Sequence, residues 1–143
     1  MNFTPEIFGE ICRQGAFISA IIAGFSFAFI GALLVSQVKN KIIDVVLSFS
    51  ILSIAGLLIC ALFWTLMASG MGMYVGIEIS QIPQSLISLH KTLSLLFILS
   101  ILFFLVTLAL SGWIRSRILG VISASVSVAS TAFFFMNVKL FLH

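Results

Sequence analysis

The chain has 143 residues, is 62% hydrophobic and 8% charged, and carries a formal net charge of +3. Soluble domains are about a quarter charged, so this composition is that of a polytopic membrane protein. A hydrocarbon core about 30 Å thick takes roughly 20 apolar residues per helix, and four such stretches use up nearly the whole chain, with no room for a nucleotide-binding loop or soluble receptor module. The basic residues stand singly in loops and at helix ends. No basic face exists to carry nucleic acid.

Met1 to Gln14 reads as a short amphipathic helix. Thr4 can cap it, Pro5 suits the first helical position, and Glu6 suits the positive helix end. Phe3, Ile7, Phe8 and Ile11 fall on one side, with Glu6, Glu10 and Arg13 free to face water or headgroups. Such a segment lies in the interface or extends the first membrane helix. The apolar run behind it is too long for a signal-peptide core, and acidic residues precede it, so it is read as retained.

The first membrane helix is expected over 15–37. Ala20, Gly24, Ala28 and Ala32 stand four apart, the small-residue spacing that lets helix backbones approach closely. Phe17, Ile21, Gly24, Ala28 and Val35 share an overlapping face at helical spacing. Ordinary bundle packing would account for this pattern. So would a helix at the axis of an oligomeric membrane assembly, and the rest of the chain is read around that second possibility.

Lys39-Asn40-Lys41 makes a tight polar turn, so the second helix, expected over 42–73, returns antiparallel beside the first. Asp44 sits near its positive N-terminal end, Trp64 lies in its far half, and Gly70, Gly72 and Gly76 loosen its exit. The longest connection is Gly76 to Gln84, with Pro83 starting the next element. The third helix is expected over 84–114, with His90 and Lys91 projecting from the membrane on the Glu78 side and Trp113 marking the opposite interface. Arg115-Ser116-Arg117 is a second tight turn, and the fourth helix is expected over 118–142. Ser123, Ser127, Ser130 and Thr131 give it a polar stripe, read as helix glue, and Phe133, Phe134 and Phe135 fill its second half. The fold class is therefore all-α, a single four-helix transmembrane domain. Its helices carry different stripes, so no inverted-repeat transporter is indicated.

Charge orients the chain weakly. The tight turns carry Lys39, Lys41, Arg115 and Arg117, and the other side carries Arg13, Lys91 and Lys139. The positive-inside rule prefers the turns in the cytoplasm by this narrow margin.

An ionisable residue inside the membrane is a functional hypothesis by default. Here every Asp, Glu, Lys, Arg and His lies near a loop or an end, which argues against a proton relay or an intramembrane protease. Cys12 and Cys60 form no CxxC and read as small core residues. His90 and His143 would share one side, where a bis-histidine haem is conceivable, although haem-bearing helix pairs place their histidines within the membrane portion. No metal site, cofactor or nucleophile–base pair is indicated, and the chain is not read as an enzyme.

Four segments carry a resemblance to a known family. SAIIAGFSFA, Ser19 to Ala28, resembles the pore helix of Orai calcium channels, where a Ser-Ala-aliphatic-aliphatic-small-Gly-Phe run is typical. FSILSIAGLLICALFWTLMAS, Phe49 to Ser69, is similar to that family's second helix. LLFILSILFFLVTLALSGWI, Leu95 to Ile114, is similar to its third, including the closing tryptophan before a basic residue, and SVASTAFFF, Ser127 to Phe135, to its fourth.

The resemblance implies that six copies of the first helix surround a central pore, with the other helices in outer rings. Carried over, Ile21, Phe25 and Ala28 fall in the hydrophobic section of the pore, Gly24 at the flexible glycine beside the gating phenylalanine, and Arg13 at a basic position below. The departures are specific. The family's filter glutamate position is Ala32 here, which cannot coordinate a hard divalent cation. The family's last arginine before the hydrophobic section is Phe17, and its long cytosolic tail for an activating partner is missing. Its orientation, N-terminus inside, opposes the charge count.

The expectation is thus a homo-oligomeric channel or pore lined by Phe17, Ile21, Gly24, Phe25, Ala28, Ala32 and Val35, with Arg13 at the mouth. An apolar constriction of this kind closes by dewetting and discriminates weakly among ions. Its partners are membrane lipid, copies of itself (six by resemblance) and an activating partner that the sequence does not identify. The absence of a targeting segment and of large loops suits a bacterial inner membrane. The rival expectations are a non-conducting structural or adaptor subunit that binds another membrane protein through the small-residue face, and a small haem-carrying subunit.

Overall fold

The structure is a computed structural model that describes residues 5–35, 41–74 and 82–142, and within them all side chains except those of 72–74, 115, 133–135 and 137–142. The described residues form four helices and no strand: α1 (Pro5–Val35), α2 (Lys41–Tyr74), α3 (Gln84–Arg115) and α4 (Arg117–Leu142). Among them α1, α2 and α3 are long and apolar enough to cross a membrane. The described apolar stretch of α4, Arg117–Ala132, is shorter. The expected cap Thr4, the turn residues Lys39 and Asn40, the loop residues Gly76 and Glu78, and His143 lie outside the described residues.

Local chemistry accounts for the described ends. Pro5 opens α1, where its missing N–H costs nothing. The Pro83 carbonyl accepts the N–H of Leu86 at 3.0 Å and of Ile87 at 3.3 Å, starting α3. At the α3–α4 junction the Ser116 hydroxyl accepts the Leu119 N–H at 3.1 Å, which is N-terminal capping. The Ser116 carbonyl accepts the Gly120 N–H at 2.9 Å, so the chain turns and restarts as helix within a single residue.

No separate amphipathic helix precedes α1 among the described residues. Pro5 to Gln14 form the first turns of one continuous helix that runs through Gly15 without a break. Gly15 suggests a boundary in the sequence, but its lack of a side chain serves packing instead. A Cβ there would lie 2.6 Å from Cε3 of Trp64.

The chain divides into two compact units, Met1–Phe25 with Ile54–Ser100, and Ser26–Ser53 with Ile101–His143. The division cuts across α1, α2 and α3. In the first unit, Phe8, Cys12 and Ala16 of α1 pack with Cys60, Trp64, Met67 and Met71 of α2 and Leu93 of α3. Leu86, Leu89, Leu96 and Phe97 of α3 close over them. In the second, Ile43 and Val46 of α2 are buried along with several hydroxyl residues: Ser26, Ser50, Ser53, Thr107 and Ser127. Ser50 donates to the Val46 carbonyl at 2.9 Å and lies 3.4 Å from the Thr107 hydroxyl, which in turn bonds the Phe103 carbonyl at 3.0 Å. Each hydroxyl is thus satisfied within its own helix, and the pair adds a link between helices.

α2 is the most buried of the three helices long enough to cross a membrane. Of its apolar stretch 39% is buried, against 17% for α1 and for α3. Beside the buried Ile54 and Gly56, its buried positions are Ile43, Val46, Ser50, Ser53, Leu57, Cys60, Trp64, Met67 and Met71. Their spacing alternates three and four residues, the period of left-handed helix packing.

Candidate functional site

α1 has two opposed faces. Phe8, Cys12, Ala16, Ser19, Ala23 and Ser26 are buried. At 3.6 residues per turn the positions Phe17, Ile21, Gly24, Phe25, Ala28, Ala32 and Val35 fall about half a turn away from them. All seven are exposed on the chain, with Phe17 at 66%, Phe25 at 68% and Val35 at 80%. A Cβ at Gly24 or Gly31 would meet nothing within 4 Å. The exposed arc is wide and also takes in Ile18, Phe27 and Leu34. Arg13 stands at the edge of this face, and its guanidinium pairs with the Glu10 carboxylate at 3.0 Å.

The small residues Ala20, Gly24, Ala28 and Ala32 are likewise exposed. Packing within this chain, the ordinary account of their spacing, is therefore not what they do here. The chain's own contacts use the other face of the helix, whose small and polar members are Cys12, Ala16, Ser19, Ala23 and Ser26.

The structure brings together a second group, which the sequence does not signal. His90 of α3 is half-buried, with its ring 5.2 Å from that of Phe8 and 6.0 Å from that of Trp64. Its Nδ1 lies 3.9 Å from the Cys12 sulfur. Trp64 packs also on Phe97, 5.3 Å between ring centroids, and its indole N–H is buried with no hydrogen-bond partner among the described residues. Cys60 closes the group from below, its thiol donating to the Leu93 carbonyl at 3.5 Å. His90 thus packs against aromatic rings and a thiol, whereas the neighbouring Lys91 is exposed. Among the described residues no three His, Cys, Asp or Glu side chains are placed to hold a metal ion. The second histidine of the haem reading, His143, is not described.

The serine stripe of α4 is split by the structure. Ser127 is buried, and the half-buried Ser123 bonds the Ala109 carbonyl of α3 at 3.0 Å, whereas Ser130 is exposed. Ser50, Ser53, Ser100 and Thr107, which lie inside α2 and α3, are the more deeply buried hydroxyls. A polar residue recurring at a three-four spacing in an otherwise apolar helix is the signal that marks them.

The chain was compared with protein-family profiles, with curated proteins and with solved structures, and none matches.

Proposed function

We propose that the chain is a four-span membrane protein that assembles with copies of itself into an ion channel or pore lined by α1. The supporting observation is the opposed-face arrangement of that helix. Its buried face meets the chain's own core, and the face with Phe17, Ile21, Gly24, Phe25, Ala28, Ala32 and Val35 is left exposed beside a strip of small residues. Small residues allow close helix–helix approach in lipid, and among the described residues Ala20, Gly24, Ala28 and Ala32 stay exposed. Copies meeting through this face would form a constriction of phenylalanine, isoleucine and alanine. Such a constriction dewets and closes without a plug, and Gly24 offers a place to bend. The likeness of the four segments to Orai channels supports the same arrangement, with six copies and Arg13 at the mouth. Ala32 in place of the filter glutamate removes the carboxylate ring a divalent cation needs, so discrimination among ions is weak. The short connections between its helices suit a bacterial inner membrane.

The same exposed strip also suits a subunit that binds a different membrane protein and conducts nothing. Particle mass separates the two readings. The pore reading expects the purified protein at a multiple of 15.6 kDa, reduced towards the single chain by Gly24→Leu. A monomer in gentle detergent, unaffected by Gly24→Leu, contradicts it.

A further inference from the structure

The first unit carries a groove of about 560 Å³ between α1 and α2. Its walls include Phe17 and Ala20 of α1 with Leu58, Ala61, Leu62 and Leu66 of α2. Alanines give it depth, because they leave room that larger side chains would fill. Its polar members gather towards one end. Arg13 and Ser69 stand there, whereas Ala20 and Leu58 stand at the other. Thr65 also lines the groove, but its hydroxyl is already bonded to the Ala61 carbonyl at 2.7 Å.

We propose that this groove holds one acyl chain of an anionic phospholipid, with its phosphate on Arg13. Length supports the assignment. At 1.5 Å rise per residue, Leu58 to Ser69 spans about 16 Å, close to half of a hydrocarbon core about 30 Å thick. The α2 wall therefore runs the depth of one leaflet, and the α1 wall, Arg13 to Ala20, covers about 10 Å of it. Level supports it as well. Arg13 stands two residues before the apolar run that begins at Gly15, where the polar boundary of a spanning α1 falls. Charge supplies the third argument. Among the described residues Arg13 is the one charged side chain lining the groove, and a guanidinium presents a donor fork that matches phosphate. Its pairing with Glu10 is between side chains exposed at 72% and 50%, and exposed pairs of this kind are weak enough to rearrange. A zwitterionic headgroup brings its own cation to compete with Arg13, and an anionic one does not. The groove shares Arg13, Phe17 and Ala20 with the α1 face read above as lining the pore, but the assignment needs only a single chain and does not rest on that reading.

The test is native mass spectrometry of the full-length protein released from bilayers of palmitoyl-oleoyl phosphatidylglycerol and phosphatidylcholine in equal amounts. The wild type should retain the phosphatidylglycerol about fivefold more than the phosphatidylcholine, the effect of one basic residue near an anionic surface. Arg13→Gln should abolish that preference, and Arg13→Lys should keep most of it. Ala61→Phe, which fills the groove, should lower retention of both lipids. Arg13 is exposed, so its exchange leaves the core intact and its result decides. Equal retention of the two lipids by the wild type would overturn the proposal. So would an unchanged preference in Arg13→Gln, an equal loss in the control Lys91→Gln, or release of the lipid by inorganic phosphate alone.

Discussion

Gly15 lies directly under the indole of Trp64, close enough that a Cβ on the glycine would sit 2.6 Å from Cε3 of the ring. Trp64 is 5% exposed and is held on its other sides by His90 and Phe97. It cannot swing aside without disturbing the core of that unit. Gly15→Ala should therefore destabilise by about 1–3 kcal/mol, the usual cost of overpacking. Thermal unfolding in detergent should show the loss. Gly70→Ala is the matched control. Nothing lies within 4 Å of its added methyl, and alanine favours a helix over glycine by about 1 kcal/mol, so the melt should hold or rise. Equal losses in both variants would mean that Trp64 does not press on Gly15.

The cysteines give a second prediction. Cys12 and Cys60 are fully buried and unpaired. A buried thiol in apolar surroundings is inert until exposed. A membrane-permeant maleimide should leave both unmodified in the folded protein and label both after denaturation. Rapid labelling of Cys12 under native conditions would place α1 differently from the packing described here.

Gly56 meets Ser100 in the same close way that Gly15 meets Trp64. The position for a Cβ on Gly56 is already taken by the serine hydroxyl, which bonds the Leu96 carbonyl at 2.8 Å. Gly56→Ala should lower the melting temperature, and adding Ser100→Ala should recover part of the loss. The double variant measures the coupling directly. Additive losses would show that the two residues do not touch.

Much of this was legible in the sequence. Apolar runs bounded by Lys41, Pro83 and Arg115 to Arg117 predict helices in the order found. What sequence periodicity misses is which face of each helix is inside. In a helix meant for lipid, the outer face is as apolar as the core, so no amphipathic signal points inward. α1 carries the conspicuous small residues and phenylalanines, yet α2 is more buried than α1 or α3. Its stripe from Ile43 to Met71 is marked only by Ser50, Ser53 and Cys60, small residues whose regular spacing is easy to overlook. Gly15 was legible as a break and proved to be a packing site. The meeting of Cys12, Trp64 and His90 depends on three helices coming together, and nothing local in the chain announces it. The α1 face with Phe17, Ile21, Gly24, Ala28 and Val35 could be read as one stripe by spacing alone, and Phe25 joined it only through the resemblance. That it points away from the chain's own core needed the structure.

The central claim is that this face lines a gated pore, and ion flux tests it most directly. Liposomes containing the purified wild type should hold K⁺, Ca²⁺ and Cl⁻ gradients, because an apolar constriction at rest is dry. Phe25→Ser and Ala28→Ser place hydroxyls on an exposed face, where the fold does not depend on them, and each should let the constriction wet. The account predicts ion leak from both variants and quiet liposomes from the wild type. Both variants as tight as the wild type, with protein folded and inserted, would contradict it.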